Sequence, residues 1–403
     1  MDVSVSNLEG FQTLVDHSAS ADIYASANAA KENMKKDTII AYPADKSGCG
    51  NVRIINPLNY LNATGKHNSI ISNVLVHQNE QVLKKTKSIW FQRPNGIEHV
   101  KDFTNNKEAY DKLKVKLVID HDDMLFGKNE RQGGTIEGGI PSYNAAYRTV
   151  NERGVENAVN IMNMVDRITV SVPYLGEQLK SIGVETEIFH LPNAIPMYLW
   201  GKEKRPDIKS KIVKPRVLYT GAPLHYSNTE KLEGDFKGAW KEWIYKNVLT
   251  DSIDLFIFGV EVPWFLMPVA HKVHLLKFCD YLDYPNVVRG IKANLGIAPL
   301  VENDFNRCKS DIKFLEYAAC GVPFIGSSFT KQNSPYENYN NVPQDVTVEQ
   351  LDELVSFMME PEHYNAIKNN QYQTLVSEGR YTESKKYLNT FMEALFLDEK
   401  KEK

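Results

Sequence analysis

The apolar pattern of the chain alternates between short strand-like runs and helical stretches, and this alternation occurs twice. In the first half, strand-like runs cover 38–42, 88–92, 115–120, 167–171 and 185–191, with helical spacing at 51–61, 141–164 and 174–182. Strands that alternate with helices are typical of a parallel sheet covered by helices on both faces. The pattern therefore predicts an α/β fold.

The alternation stops at residues 202–216, which are rich in Lys, Arg and Pro, and then restarts. New strand-like runs cover 216–220, 253–258, 273–278, 295–299 and 323–325, and three helical stretches follow residue 348. We interpret 202–216 as a linker between two Rossmann-like domains. Two such domains predict a cleft between them, onto which the carboxyl ends of both parallel sheets open.

These boundaries divide the chain into three predicted segments. Residues 1–200 form the N-terminal domain, in which the polar residues 1–36 are an appended arm. Residues 201–375 form the C-terminal domain, and residues 376–403 form a helix that crosses back to the first domain.

Charge and composition exclude several classes of protein. The 403 residues include 47 Lys and Arg against 51 Asp and Glu, a net charge of −4, so the surface as a whole does not attract nucleic acid, although a local basic patch remains possible. The four cysteines show no C-x-x-C spacing, which disfavours a zinc or thioredoxin-like site, and so few cysteines in a long chain suit a reducing cytoplasm. No signal peptide and no apolar run of about 18 residues is present, so we expect no membrane span.

The densest group of candidate binding residues lies in 303–323. We expect a helix with Ser310 as its N-cap and Gly321 just beyond its end. The free N–H groups and partial positive charge of such a helix start suit an anion, for example a diphosphate. The candidate residues for this anion are Arg307, Lys309, Ser310, Asp311 and Lys313.

Glu316 lies one and a half turns into the same predicted helix. A carboxylate at that position could accept hydrogen bonds from two vicinal hydroxyls of a ribose. The alternative is a capped surface helix with solvated lysines, because such helices are common. The residues alone leave both interpretations open.

The segment 315–323, Leu-Glu-Tyr-Ala-Ala-Cys-Gly-Val-Pro, resembles the donor-binding motif of GT-B glycosyltransferases. It is similar above all to glycosyltransferase family 4 and to family 1-type glycosyltransferases of phages and bacteria. The resemblance implies that Glu316 binds the nucleotide ribose and that the helix start binds the diphosphate. Many members carry a second glutamate, eight positions earlier, that contacts the sugar. Here that position is Cys308.

Other segments resemble the same family and keep its order. Residues 165–175 resemble a strand end that contains Ser171, and 190–195 resemble the hinge that contains Asn193. Residues 219–226 resemble the first strand and loop of the donor domain, with Gly221 and His225, and 118–126 resemble an Asp-rich strand end. The resemblance implies an acceptor-side N-terminal domain and a nucleotide-sugar-binding C-terminal domain.

The loop 45–50 places Gly48 and Gly50 between a strand and a helix. It could hold a phosphate, but the dinucleotide fingerprint is incomplete because residue 53 is Arg53. This gap disfavours a NAD enzyme. The resemblance implies instead that the loop approaches the sugar and the acceptor, with Arg53 facing the cleft. A tight strand–helix turn is the alternative.

His121, Asp122 and Asp123 follow a predicted strand. Two carboxylates at a strand end can hold Mg²⁺. GT-B enzymes generally need no metal, so the resemblance favours acceptor contacts, a catalytic role or a structural cap, and we expect neither a metal nor another cofactor. Lys309 is the fourth catalytic candidate, because a cation there would stabilise the departing diphosphate.

The resemblance implies a retaining transfer of a sugar from a nucleotide diphosphate donor, expected to be UDP-linked, to a hydroxyl. The similarity to phage sequences and the basic linker favour a 5-hydroxymethylated base in phage DNA as the acceptor, with DNA as partner and the host cytoplasm as location. The alternatives are a bacterial polysaccharide or small glycan as acceptor, and a non-catalytic sugar-nucleotide binding module.

Overall fold

The chain divides into two compact units. The first contains the residues up to Asp122, the segment Glu152–Ala194 and the residues from Thr382 onward; the second contains Ile195–Tyr381 and a segment that starts at Asp123. The predicted arm lies outside the described residues except for Lys35. The computed structural model describes Lys35 and residues 37–65, 67–94, 97–125, 152–201, 205–221, 234–259 and 261–397.

The first unit is built on a parallel sheet of six strands in the order β2-β1-β3-β4-β5-β6. Its central strands β3 and β4 contain buried apolar runs at residues 89–91 and 117–119, as expected where helices cover both faces of a parallel sheet. The strand order reverses between β1 and β3, so a ligand-binding crevice is expected at the carboxyl ends of these two strands. The strands are β1 Thr38–Tyr42, β2 Ser69–Ile71, β3 Thr86–Gln92, β4 Lys116–His121, β5 Arg167–Val170 and β6 Ile188–His190.

Helices of the first unit connect these strands, and the last one arrives from the far end of the chain. Residues 48–63 form one helical run that contains a π-helical turn. The helix Lys385–Ala394 packs Phe391 edge-on against Trp90 of β3, with 5.3 Å between ring centroids, and both side chains are fully buried. The helical segments are Gly48–Gly50, Asn51–Ile55, Asn56–Ala63, Val76–Gln78, Glu80–Leu83, Ile97–Leu113, Glu152–Met162, Pro173–Ser181 and Lys385–Ala394.

The second unit is also built on a parallel six-stranded sheet, in the order β12-β11-β10-β7-β8-β9. The strand order reverses between β7 and β10, and the carboxyl ends of these strands form the second expected crevice. The strands are β7 Arg216–Tyr219, β8 Asp254–Phe258, β9 Val273–Leu276, β10 Leu295–Ala298, β11 Phe324–Ser327 and β12 Asn341–Val342.

Two apolar clusters form the core of the second unit. One includes Trp243, Ile257 and Tyr364, and the other includes Leu315 and Phe324. No helix among the described segments of the chain combines the length and the apolar character needed to cross a bilayer. The helical segments of this unit are Met197–Trp200, Ala239–Leu249, Trp264–Lys272, Tyr284–Ile291, Asp304–Arg307, Ile312–Ala319, Val348–Met358 and Pro361–Ser377.

The predicted linker is attached to the second unit where the structure describes it. Ile208 and Ile212 pack against the core of this unit. Lys211 pairs with Glu360 at 2.7 Å, and Lys214 pairs with two carboxylates, those of Asp251 at 3.0 Å and Asp254 at 2.9 Å. These pairs are exposed to solvent and therefore weak, and they lower only in part the positive charge that Lys211 and Lys214 could offer to DNA. Lys202 and Lys204 lie outside the described residues.

Candidate active site

The helix that carries Glu316, Ile312–Ala319, follows the carboxyl end of β10. The prediction that Ser310 is its N-cap is wrong, because Asp311 occupies the N-cap position and makes no side-chain cap. Instead, the Asp311 carboxylate accepts two hydrogen bonds from Arg380, at 2.5 and 3.0 Å, and one from the Tyr339 hydroxyl at 2.6 Å. Asp311 thus connects the start of the helix to the segments that contain Tyr339 and Arg380.

The end of this helix is as predicted. Gly321 has a φ of +62°, and the Val322 N–H donates to the Tyr317 carbonyl at 2.9 Å. The Gly321 N–H donates to the Ala318 carbonyl at 3.1 Å. This pair of bonds is the Schellman motif, which favours glycine because the residue after the helix adopts a left-handed conformation.

Glu316 is buried, with 5% of its surface exposed. Its Oε2 accepts hydrogen bonds from the Tyr284 hydroxyl at 3.1 Å and from Lys313 Nζ at 2.9 Å. No described residue donates to Oε1. A carboxylate oxygen that no described residue donates to keeps its lone pairs for other donors, so this atom is suited to accept a hydrogen bond from a ligand.

Arg307 is placed differently from the prediction that it binds an anion. Its guanidinium pairs with Glu302 at 2.5 Å and with Asp304 at 2.7 Å. Glu302 also accepts backbone N–H bonds from Thr330 and Lys331, at 2.8 and 2.9 Å. In this arrangement Arg307 stabilises the loop between β10 and the Glu316 helix.

Lys309 and Asp123 are brought together within the second unit. Lys309 Nζ lies 3.5 Å from Asp123 Oδ1 and 4.4 Å from the centre of the Phe305 ring. The neighbouring Cys308 is fully buried, and its thiol lies 3.6 Å from Met124 Sδ. Burial raises the pKa of Cys308 above its ordinary value. Cys308, at the position where many members of the resembled family carry a second glutamate, is therefore a neutral thiol.

The carboxyl end of β7 lies beside the Glu316 helix. The Thr220 hydroxyl and the Tyr317 hydroxyl are 3.0 Å apart, and the Tyr317 hydroxyl donates to the Leu218 carbonyl at 3.0 Å. A Cβ at Gly221 would lie 2.2 Å from the Tyr219 hydroxyl, so a side chain there would require Tyr219 to move. His225 lies outside the described residues.

In the first unit, Arg53 is enclosed and does not face a cleft, contrary to the prediction. Its side chain is 1% exposed and binds Asp120, with the shortest N–O distance at 2.5 Å. Arg53 Nη1 also donates to the Leu191 carbonyl at 2.5 Å and to Asn193 Oδ1 at 2.9 Å. Thr169 donates its hydroxyl proton to Asp120 at 2.6 Å. Arg53 therefore joins the ends of the strands and cannot reach an acceptor in this arrangement.

The loop before the first helical run is a tight strand–helix turn. Asp45 Oδ1 accepts hydrogen bonds from the Ser47 N–H at 2.8 Å and from the Gly50 N–H at 3.1 Å. A carboxylate thus already uses donors that a bound phosphate would need. A Cβ at Gly50 would lie 1.8 Å from the Asp45 carbonyl oxygen, whereas Gly48 has open space around it. Only Gly50 is required by the turn.

Asp122 forms a two-point ion pair with Arg93 at the carboxyl edge of the first sheet. Both N–O distances are 2.6 Å. The Ser171 hydroxyl donates to the Asp122 carbonyl oxygen at 3.1 Å. The sequence interpretation missed Arg93, although its position directly after β3 is a signal, because side chains that follow parallel strands collect at this edge.

His121 is the buried neighbour of this pair. Burial lowers its pKa to about 4, while the nearby Asp122 carboxylate raises the pKa and Arg93 lowers it. The imidazole is therefore neutral at pH 7, which suits a hydrogen-bonding role better than an ionic one. No group of three or more His, Cys, Asp or Glu in the described part of the chain could hold a metal ion.

Known proteins are similar to this chain in structure, but the comparisons by sequence find no match. No protein-family model and no curated protein matches the chain. An alpha-glucosyltransferase in complex with UDP superposes with a TM-score of 0.56 at 11% identity, covering 89% of this chain and 100% of that one. A sucrose-phosphate synthase from Thermosynechococcus elongatus gives a TM-score of 0.53 at 12% identity, covering 90% and 98%.

A third solved structure is HepE of Anabaena in complex with UDP and glucose. It gives a TM-score of 0.50 at 12% identity, covering 94% of this chain and 98% of that one. The chain has the fold of the GT-B glycosyltransferases. In this GT-B fold, Gly221 and the Glu316 helix lie at the carboxyl edge of the second sheet, next to the point where its strand order reverses. Ligands of open α/β sheets bind at such points.

We predict that Arg53→Met destabilises the protein by about 3–5 kcal/mol, because it leaves the buried Asp120 carboxylate without its cation. The free energy of unfolding in denaturant measures this loss. The matched control is Lys116→Met, which breaks the half-exposed pair with Asp166 and should cost less than about 1 kcal/mol. Equal losses in the two variants would contradict a special role for the buried pair.

We also predict a pH-dependent contribution from His121. Its folded pKa of about 4 lies below the ordinary 6.5, so the unfolded chain binds this proton first as the pH falls. The stabilising contribution is complete above 6.5 and is lost as the pH falls towards 4. Unfolding free energies of the wild type and His121→Gln, compared at several pH values across this window, should show the wild type losing more stability on acidification. Parallel pH profiles would contradict the prediction.

Proposed function

We propose that this protein transfers a sugar from a UDP-linked donor to a hydroxyl, with retention at the anomeric carbon. The observation that carries the proposal is the buried Glu316 carboxylate, which has one oxygen without a donor, at the strand-order reversal of a GT-B fold. Two of the similar structures contain UDP, and one of these also contains glucose. These ligands suggest the same donor class for this chain.

In the proposed complex, Glu316 accepts hydrogen bonds from the ribose. The backbone at Gly221, the start of the Glu316 helix and Lys309 surround the diphosphate. Lys309 exchanges its ion pair with Asp123 for the phosphate charge as that charge develops on the leaving group. The departing phosphate takes the proton of the acceptor hydroxyl, so the reaction calls for neither a metal nor a protein carboxylate as base.

The first proposed acceptor is a 5-hydroxymethylated base in phage DNA, which would place the reaction in the host cytoplasm. Lys211 and Lys214 of the linker pair with carboxylates, which lowers the positive charge that this segment could offer to DNA phosphates. This pairing favours a second candidate, in which the acceptor is a sugar hydroxyl of a polysaccharide or small glycan. A binding module without catalysis is the third possibility, and turnover separates it from the other two.

We predict that Glu316→Ala weakens UDP binding by about 1–3 kcal/mol, the range for losing hydrogen bonds to a charged group. Titration calorimetry with UDP measures the affinity. The control is Glu353→Ala, which removes an exposed carboxylate on the helix Val348–Met358 and should leave UDP binding unchanged. Unchanged affinity in Glu316→Ala would refute the ribose role.

The acceptor is tested by UDP release from a panel of UDP-sugars, with and without DNA that contains 5-hydroxymethylcytosine. We expect a new nucleoside, heavier by one sugar residue, in the mass spectrum of the digested DNA. UDP release without a DNA mass shift would exclude this acceptor and favour the glycan. No release with any donor, despite UDP binding, would favour the binding module.

A further inference from the structure

The two donors to Glu316 converge on one of its oxygens. Tyr284 and Lys313 both donate to Oε2, and Lys313 Nζ also lies 3.4 Å from the Tyr284 hydroxyl oxygen. Glu316 Oε2, the Tyr284 hydroxyl and Lys313 Nζ are therefore each within hydrogen-bond distance of the other two. The carboxylate cannot rotate to offer this oxygen elsewhere without losing both bonds, so Oε1 is the oxygen left without a donor among the described residues.

Tyr284 is itself held in place by packing. It is the first residue of the helix Tyr284–Ile291, and its ring lies 5.3 Å from Trp200 and 5.0 Å from Phe258, measured between ring centroids. Burial and the Glu316 carboxylate hold the pKa of Tyr284 well above its usual range. The phenol thus keeps its proton and remains a donor to Oε2.

We propose that Tyr284 and Lys313 position Glu316 so that Oε1 alone accepts the ribose hydroxyls, which makes the site select ribonucleoside diphosphate sugars over their 2′-deoxy analogues. The inference rests on the proposed function. A carboxylate oxygen has two lone pairs, so Oε1 can accept both the 2′- and the 3′-hydroxyl. A donor without the 2′-hydroxyl loses one hydrogen bond to the charged carboxylate, and sites built to bind a hydroxyl reject the analogue that lacks it.

Tyr284 and Lys313 are thus positioning residues, and the expected selectivity depends on both. If the carboxylate were free to rotate, Oε2 could take part in binding and compensate for a missing hydroxyl. Removing the Tyr284 hydroxyl should therefore lower the preference for UDP over 2′-deoxy-UDP. A tyrosine with only a structural role would change both affinities by the same factor when substituted, and their ratio would stay constant.

The test compares the dissociation constants of UDP and 2′-deoxy-UDP by calorimetry. We expect the wild type to prefer UDP by about tenfold or more, and Tyr284→Phe to lower this ratio by about threefold or more. The matched control is Tyr364→Phe, which removes a buried hydroxyl that contacts Arg205 and not Glu316. Its ratio should equal that of the wild type.

Two results would overturn the inference. One is a Tyr284→Phe variant whose ratio of affinities equals that of the wild type, even if it binds both nucleotides more weakly. The other is a wild type that binds UDP without preferring it over the 2′-deoxy analogue. If Tyr284→Phe does not fold, Lys313→Met supplies the same comparison, because it removes the other donor to Oε2. A wild type that binds neither nucleotide would instead refute the proposed function, and the inference with it.

Discussion

The ion pair between Arg53 and Asp120 organises the carboxyl edge of the first sheet. Both side chains are enclosed, so neither charge is tolerable without the other. Satisfying Arg53 also requires the Leu191 carbonyl and Asn193, which follow β6. These bonds fix the end of β4, the chain after β6 and the first helical run to one another. They also determine the positions of His121 and Asp122, because these two residues directly follow Asp120.

The carboxyl edge of the second sheet carries a carboxylate, that of Glu316, which is hydrogen-bonded by described residues on one oxygen only. Asp120 accepts hydrogen bonds from Arg53 and Thr169 and has its charge compensated in the interior. Glu316 is nearly as buried, but its donors all lie on one oxygen. A carboxylate with hydrogen bonds on both oxygens suits a structural role. A carboxylate with one oxygen still able to accept hydrogen bonds can form them with a ligand and so contribute to its binding. The two sheets share an architecture and differ in how completely their edge carboxylates are satisfied.

The sequence predicted what depends on neighbouring residues and missed what depends on distant ones. The two α/β halves and the end of the Glu316 helix at Gly321 follow from local patterns, and the structure contains both. Strands β2 and β12 were not predicted, because three and two residues are too few to show a period. Ser310 is a residue type favoured at N-caps, but the helix starts after Asp311, whose carboxylate bonds to the distant residues Arg380 and Tyr339. The partner of Arg53 is 67 positions away, which no local pattern reveals.

The helix Lys385–Ala394 has a consequence for synthesis of the protein. It is part of the first unit, yet it is translated only after the whole second unit. Until Phe391 leaves the ribosome, the Trp90 ring lacks the partner that covers it in the finished fold. The second unit can complete its own core while the first still exposes an apolar face of its sheet. The synthesis of this helix therefore sets the moment at which the first unit becomes complete.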